Sequence, residues 1–215
     1  MAKKKRIRMA TLDLLPHVVQ DPQLYRGSWR NQYFKGGERL VLELGCGKAE
    51  LSLALAVSRP CDNHIGIDLK GARLWVAAAN AQQQNLRNIA FTRLPVQQVA
   101  DCFAGAEVDE IWLPFPDPFP KKRQQNRRMT SPYFLSQFAR ILSPGARLHL
   151  KTDDKSLYDY SLETLKEAGW RTEEAREDLY ADPPEDERLS IRTTYEVQHL
   201  KEGKKIKYIR TVFQG

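Results

Sequence analysis

The chain has no apolar run long enough to cross a bilayer. Its longest, "LSLALAV" at residues 51 to 57, falls far short of the roughly 20 residues that a span requires. The N-terminus is charged with no apolar segment behind it, so the protein reads as cytoplasmic, with no membrane partner. Cysteine is scarce as well: Cys46, Cys61 and Cys102 stand far apart with no CxxC pair, which leaves no grounds for a disulfide frame. The four histidines, His17, His64, His149 and His199, show no HExxH or other ligand spacing, and no metal is expected. Internal repeats and low-complexity tracts are absent. Nothing signals an oligomeric state, and monomer and homodimer both stay open.

What is present is 215 residues of ordinary composition, 41% hydrophobic and 28% charged, enough for one globular domain with short appendages. The net charge of +7 is unevenly placed. The tail "KKKRIR" (Lys3, Lys4, Lys5, Arg6, Arg8) and the block Lys121, Lys122, Arg123, Arg127 and Arg128 hold ten of the 34 bases and no acid. Elsewhere 24 bases face 27 acids. Two basic patches on a neutral body point to a localised polyanion footprint. Residues 1–30 read as a basic tail and lead-in, and 31–215 as the catalytic domain.

Apolar segments alternate between the two periods. "RLVLELG" (39–45), "HIGIDL" (64–69), "NIAFTR" (88–93), "VDEIWL" (108–113) and "GARLHLKT" (145–152) read as strands. "LSLALAVS", "GARLWVAAANAQQQ", "SPYFLSQFARIL" and "KSLYDYSLETLKEAG" read as helices, the last closed by Gly169. This alternation implies a mainly parallel, doubly wound α/β sheet. At the end, "IRTTYEVQHL" and "KIKYIRTVF" alternate at period two around "KEGK", which predicts an antiparallel C-terminal hairpin.

Ligands of open α/β sheets sit at the carboxyl ends of the strands. After the first strand, "LELGCGKAE" offers Gly45 and Gly47, whose backbone N–H groups are expected to approach a bound molecule closely. The third glycine of a dinucleotide fingerprint is replaced by Glu50 and there is no GK[ST], so dinucleotide and P-loop readings both fall. Glu43 is an acid in an apolar strand and should have a hydrogen-bonding or cationic partner. Asp68 ends the second strand where an acid commonly meets a ribose diol, although a helix cap would explain it too. An acid before a Gly loop plus an acid after strand two resembles the S-adenosylmethionine site of Rossmann-like methyltransferases.

After the fourth strand, "PFPDPFPKKRQQNRR" resembles the signature of the tRNA (guanine-N7)-methyltransferase family, a PDPW-type turn followed by a KKRHxKRR-type basic run. "YRGSW" (25–29), "GIDL" (66–69), "KTDD" (151–154) and "TTYE" (193–196) stand where that family has comparable motifs, so the resemblance spans nearly the whole chain. It implies methyl transfer from S-adenosylmethionine to N7 of a guanine in the tRNA variable loop. Glu43, Gly45, Gly47, Asp68 and Asp117 then match cofactor positions. Lys121, Asp153, Thr193, Thr194, Tyr195 and Glu196 match positions for tRNA. Pro116 and Pro118 should bias Phe115 and Asp117 towards extended geometry, making Asp117 the first catalytic candidate. Lys121, Lys122, Arg123, Arg127 and Arg128 are placed to hold phosphates. Glu196 is expected to face out of a hairpin strand. Two departures stand out: Leu94 and Pro95 occupy the place of the family's usual Asp or Asn, and Phe119 replaces the Trp. The rival readings are a methyltransferase for protein or small molecules, whose basic blocks would be incidental, and a non-catalytic RNA-binding protein, which would show damage at Glu43, Gly45, Gly47 or Asp68.

Overall fold

Four of the five residues in Leu40–Leu44 are apolar and all five are buried, which makes this strand, β1, an interior strand of a sheet. The computed structural model describes residues 2–215, with side chains from Lys4 onward; the Lys3 side chain of the basic tail lies outside it. Around β1 run β2 (Asn63–Asp68), β3 (Ile89–Arg93), β4 (Val108–Pro114), β5 (Leu142–Thr152), β6 (Arg171–Arg176) and β7 (Lys207–Val212). The order is β3-β2-β1-β4-β5-β7-β6, with the first five parallel and β7 antiparallel to both neighbours. The chain leaves β1 towards β2 and returns on its other side as β4, so the cleft opens at the carboxyl ends of these two strands.

The helices are α1 (Ala2–Ala10), α2 (Glu50–Ser58), α3 (Gly71–Gln83), α4 (Val99–Cys102), α5 (Pro132–Ala139), α6 (Lys155–Glu167) and α7 (Thr194–Lys201). On one face of the sheet Leu42, Ile111, Leu148 and Ile209 join Trp29, Phe103, Phe138 and Leu165 in the main core. On the other, Val41, Trp112 and Tyr208 pack on Leu51, Leu55 and Leu189. Each large side chain so buried contributes about 1.5–3 kcal/mol. The basic N-terminal stretch is helical and packs on α3, with the Arg8 guanidinium 5.2 Å from the Trp75 ring centre.

The antiparallel end of the sheet is built from other segments than expected. "KIKYIRTVF" supplies β7, but "IRTTYEVQHL" holds helix α7 and not a strand. Its outward residues are Tyr195 and Val197, 54% and 36% exposed, whereas Glu196 and His199 are buried. Polar residues three apart face inward, so apolar periodicity misreports the period. Thr193 Oγ1 accepts from Glu196 N at 3.2 Å, half of the Thr-x-x-Glu capping box that the sequence does contain. The partner of β7 is β6, whose "RTEEAR" is too charged to alternate; as an edge strand it gains from charge, which blocks pairing with other chains.

Candidate active site

The loop after β1 is shaped by three left-handed residues, Gly45 (φ 74°), Gly47 (φ 59°) and Ala49 (φ 54°). The N–H groups of Gly45, Cys46 and Gly47 do not reach outward as expected. Gly45 and Cys46 donate to the Ile67 carbonyl at 2.8 and 3.1 Å, and Gly47 N donates to Asp68 Oδ2 at 2.8 Å. The glycines therefore serve the turn itself, the conformation costing them little. Asp68 is 8% exposed and its Oδ1 accepts from Lys70 N at 2.7 Å. It ties the Gly loop to the start of α3, and each of its oxygens keeps acceptor capacity.

Glu43 lies at the cleft floor, 3% exposed. Its Oε2 accepts from Ser52 N at 2.9 Å and from the Ser52 hydroxyl, while Oε1 has no protein partner among the described residues. The partner is thus a hydrogen-bonding one from α2, with no cation among the described residues. Burial raises the carboxyl pKa to about 7 against the opposing Ser52 bonds.

The proline-rich turn opposite is more strained than the sequence suggests. Phe115 (φ 52°) and Phe119 (φ 41°) are left-handed, so Phe115 is not extended as expected ahead of Pro116. Each such residue costs about 1–3 kcal/mol unless its surroundings hold it. Phe115 N donates to the Lys151 carbonyl at 2.8 Å, and its ring lies parallel to His199 at 6.0 Å. Arg128 holds the far side: Nε donates to Pro118 O at 2.8 Å, Nη2 to Phe119 O at 3.3 Å and Ser156 Oγ at 3.2 Å, and the guanidinium lies over Tyr160 at 4.5 Å. At 1% exposure, Arg128 cannot meet a phosphate; it is an internal brace, a correction to its expected role. Asp117, between the two braced phenylalanines, is exposed and makes no protein hydrogen bond among the described residues. Lys121, Lys122 and Arg123 are exposed and form no ion pair among the described residues, and Arg127 lies over Phe119 at 4.4 Å.

The third wall is the first turn of α7. Glu196, expected to face out, is 1% exposed and receives Lys151 Nζ at 3.1 Å and Tyr180 OH at 2.6 Å, so it fixes the helix from within. Asp153 is also engaged, 3.1 Å from both Lys204 Nζ and His199 Nδ1. Thr194 donates its N–H and, at 2.7 Å, its hydroxyl to Glu50 across the cleft. Tyr195 stands against Phe115, ring centres 5.4 Å apart.

These walls enclose a cavity of about 440 Å³, within the range of small-molecule sites. Glu43, Gly45, Gly47, Asp117 and Thr193 to Tyr195 all line it. Asp68, Lys121, Arg123 and Asp153 lie outside its lining, as does Leu94, which is buried. Lys48, Lys70 and Arg73 also line the cavity, and as isolated bases they carry no signal in the sequence.

A family model described as "Putative methyltransferase" matches residues 37–209. The chain is 37% identical to a tRNA (guanine-N(7)-)-methyltransferase of Bacteroides fragilis over 98% of this chain and 86% of that protein. It is 40% identical to another from Porphyromonas gingivalis, over 92% and 85%. Among solved structures it is similar to the 16S rRNA methyltransferase KamB (TM-score 0.67, 15% identity, 88% of this chain and 94% of that one). A 16S rRNA (adenine(1408)-N(1))-methyltransferase from Catenulisporales acidiphilia gives a TM-score of 0.62 at 17% identity over 91% and 94%. At these identities the structural likeness establishes the Rossmann-like sheet.

Proposed function

The chain belongs to the tRNA (guanine-N7-)-methyltransferase family, and on that premise we propose that its cleft passes a methyl group from S-adenosylmethionine to N7 of a guanine in tRNA. The observation that carries this reading is the convergence of Glu43, the Gly loop and Asp117 on one cavity beside uncompensated bases. S-adenosylmethionine, when bound, supplies an electrophilic methyl on a sulfonium. The free Oε1 of Glu43 suits the ammonium of its amino acid end, and Asp68 behind Gly47 retains lone pairs for a ribose hydroxyl.

Guanine N7 has a lone pair and no proton, so the chain needs no strong base. It needs position, and the guanine becomes cationic as the bond forms. Asp117, on a turn whose backbone is held by the Lys151 carbonyl at one end and Arg128 at the other, supplies a negative charge from a fixed backbone to orient the base and meet that charge. Lys121, Lys122, Arg123 and Arg127 supply phosphate contacts at the same edge. We place the acceptor in the variable loop and the enzyme in the cytoplasm, in keeping with the motif resemblance. Incubation with labelled S-adenosylmethionine and unmodified tRNA should give label in N7-methylguanosine. Label in another nucleoside, or in protein alone, would overturn the reading.

A further inference from the structure

We propose that Glu50 is a positioning residue that latches the RNA-facing turn of α7 to the cofactor loop; the proposal rests on the functional reading above. Glu50 opens α2 immediately behind the Gly loop, where a dinucleotide fingerprint would carry its third glycine. Its carboxylate does not cap its own helix. It crosses the cleft, and its two oxygens take the Thr194 N–H and, at 2.7 Å, the Thr194 hydroxyl.

Thr194 is the first residue of α7, and N–H groups in a first helical turn have no acceptor within their own helix. Glu50 supplies one from 144 residues away and puts negative charge at the positive end of the helix. The residues on either side, Thr193 and Tyr195, line the cavity. α7 has a separate interior anchor, Glu196, held by buried Lys151 and by Tyr180. That anchor fixes the helix against β5, while Glu50 fixes the distance between Thr193–Tyr195 and the Gly loop. Methyl transfer along a line needs that distance held, since small misplacements of reacting atoms are costly. The opposing view is that a half-exposed pair of this kind contributes nothing measurable.

Four variants decide between them: Glu50→Ala, Glu50→Gln, Thr194→Val and the double variant of Glu50→Ala with Thr194→Val. Amide exchange over residues 192–198, measured without ligands, should quicken about tenfold in Glu50→Ala, because the Thr194 N–H loses its acceptor. With tRNA, Glu50→Ala should lower kcat/KM about tenfold while S-adenosylmethionine affinity stays within about twofold and Tm within about 2 °C. Glu50→Gln keeps an oxygen for the N–H and should recover most of the loss. Thr194→Val should fall between, and the Glu50→Ala, Thr194→Val double variant should be no worse than Glu50→Ala. Unchanged exchange overturns the latch. Quickened exchange with unaltered kcat/KM, or a loss that tracks Tm or cofactor affinity, overturns the positioning role. A wild-type protein that leaves tRNA unmethylated overturns the functional reading instead, and the exchange comparison, made without RNA, still decides whether the latch exists.

Discussion

Glu43 occupies a strand position where an apolar side chain would pack without cost, and its carboxyl pKa near 7 follows from burial, which outweighs the hydrogen bonds from Ser52. Two consequences have opposite signs. A folded-state pKa above the ordinary 4.5 favours the protonated fold, so this group's stabilisation is complete below pH 4.5 and lost as pH rises through about 7. The loss is on the order of 3 kcal/mol, and urea melts at pH 5 and 8 should show a smaller decline in Glu43→Gln. Binding a cationic ammonium requires the carboxylate, so S-adenosylmethionine should bind about tenfold more weakly for each pH unit below 7. Calorimetry between pH 5.5 and 7.5 should show this slope in the wild type and a flat profile in Glu43→Gln. Arg128 was legible in the sequence only as one charge in a run, because burial of a single guanidinium leaves no mark on composition. Arg128→Ala should cost about 2–3 kcal/mol, since the Pro118 and Phe119 carbonyls lose their donor. The salt slope of tRNA binding should stay at its wild-type value.

The elements that carry the site divide by how much of their signal is apolar. β1 to β5 and helices α2, α3, α5 and α6 follow hydrophobic runs and were readable, as were the Gly loop and the proline-bounded Asp117, whereas the single turn of α4 carries too few residues to show a period. α7 and β6 were not, because what they bury or pair is polar: Glu196 and His199 in the first, a ladder of charges in the second. Lys151 illustrates the difference. In sequence it is one letter of "KTDD"; in the fold it is 2% exposed and donates to the Leu189 and Ile191 carbonyls as well as Glu196. Lys151→Met should therefore destabilise by about 3–5 kcal/mol, because it strands a buried carboxylate. Denaturant unfolding checks this, and Lys151→Met combined with Glu196→Leu should recover part of the loss. The left-handed Phe115 was also hidden, since a residue before proline is expected to be extended, and the Lys151 carbonyl and the His199 ring that hold it come from distant segments.

Across the molecule, charge is arranged around one mouth. Lys121, Lys122 and Arg123 stand on the Asp117 side without acidic partners among the described residues, and Lys48, Lys70 and Arg73 rim the loop side. Neutralising Lys121, Lys122 and Arg123 together should flatten the salt dependence of tRNA binding by roughly 0.7 to 0.9 log units per lost contact, with cofactor affinity unchanged. An unchanged slope would mean that the run is only a solvated face. The fold, the cavity and this charge all converge on one event, the attack of guanine N7 on a sulfonium methyl held by the sheet. A tRNA carrying 7-deazaguanine at the acceptor position keeps base pairing and shape but lacks the N7 lone pair. With labelled S-adenosylmethionine and wild-type enzyme, the unsubstituted tRNA should acquire label as N7-methylguanosine and the 7-deaza tRNA should bind comparably yet acquire none; methylation of the substituted nucleotide would contradict the assignment.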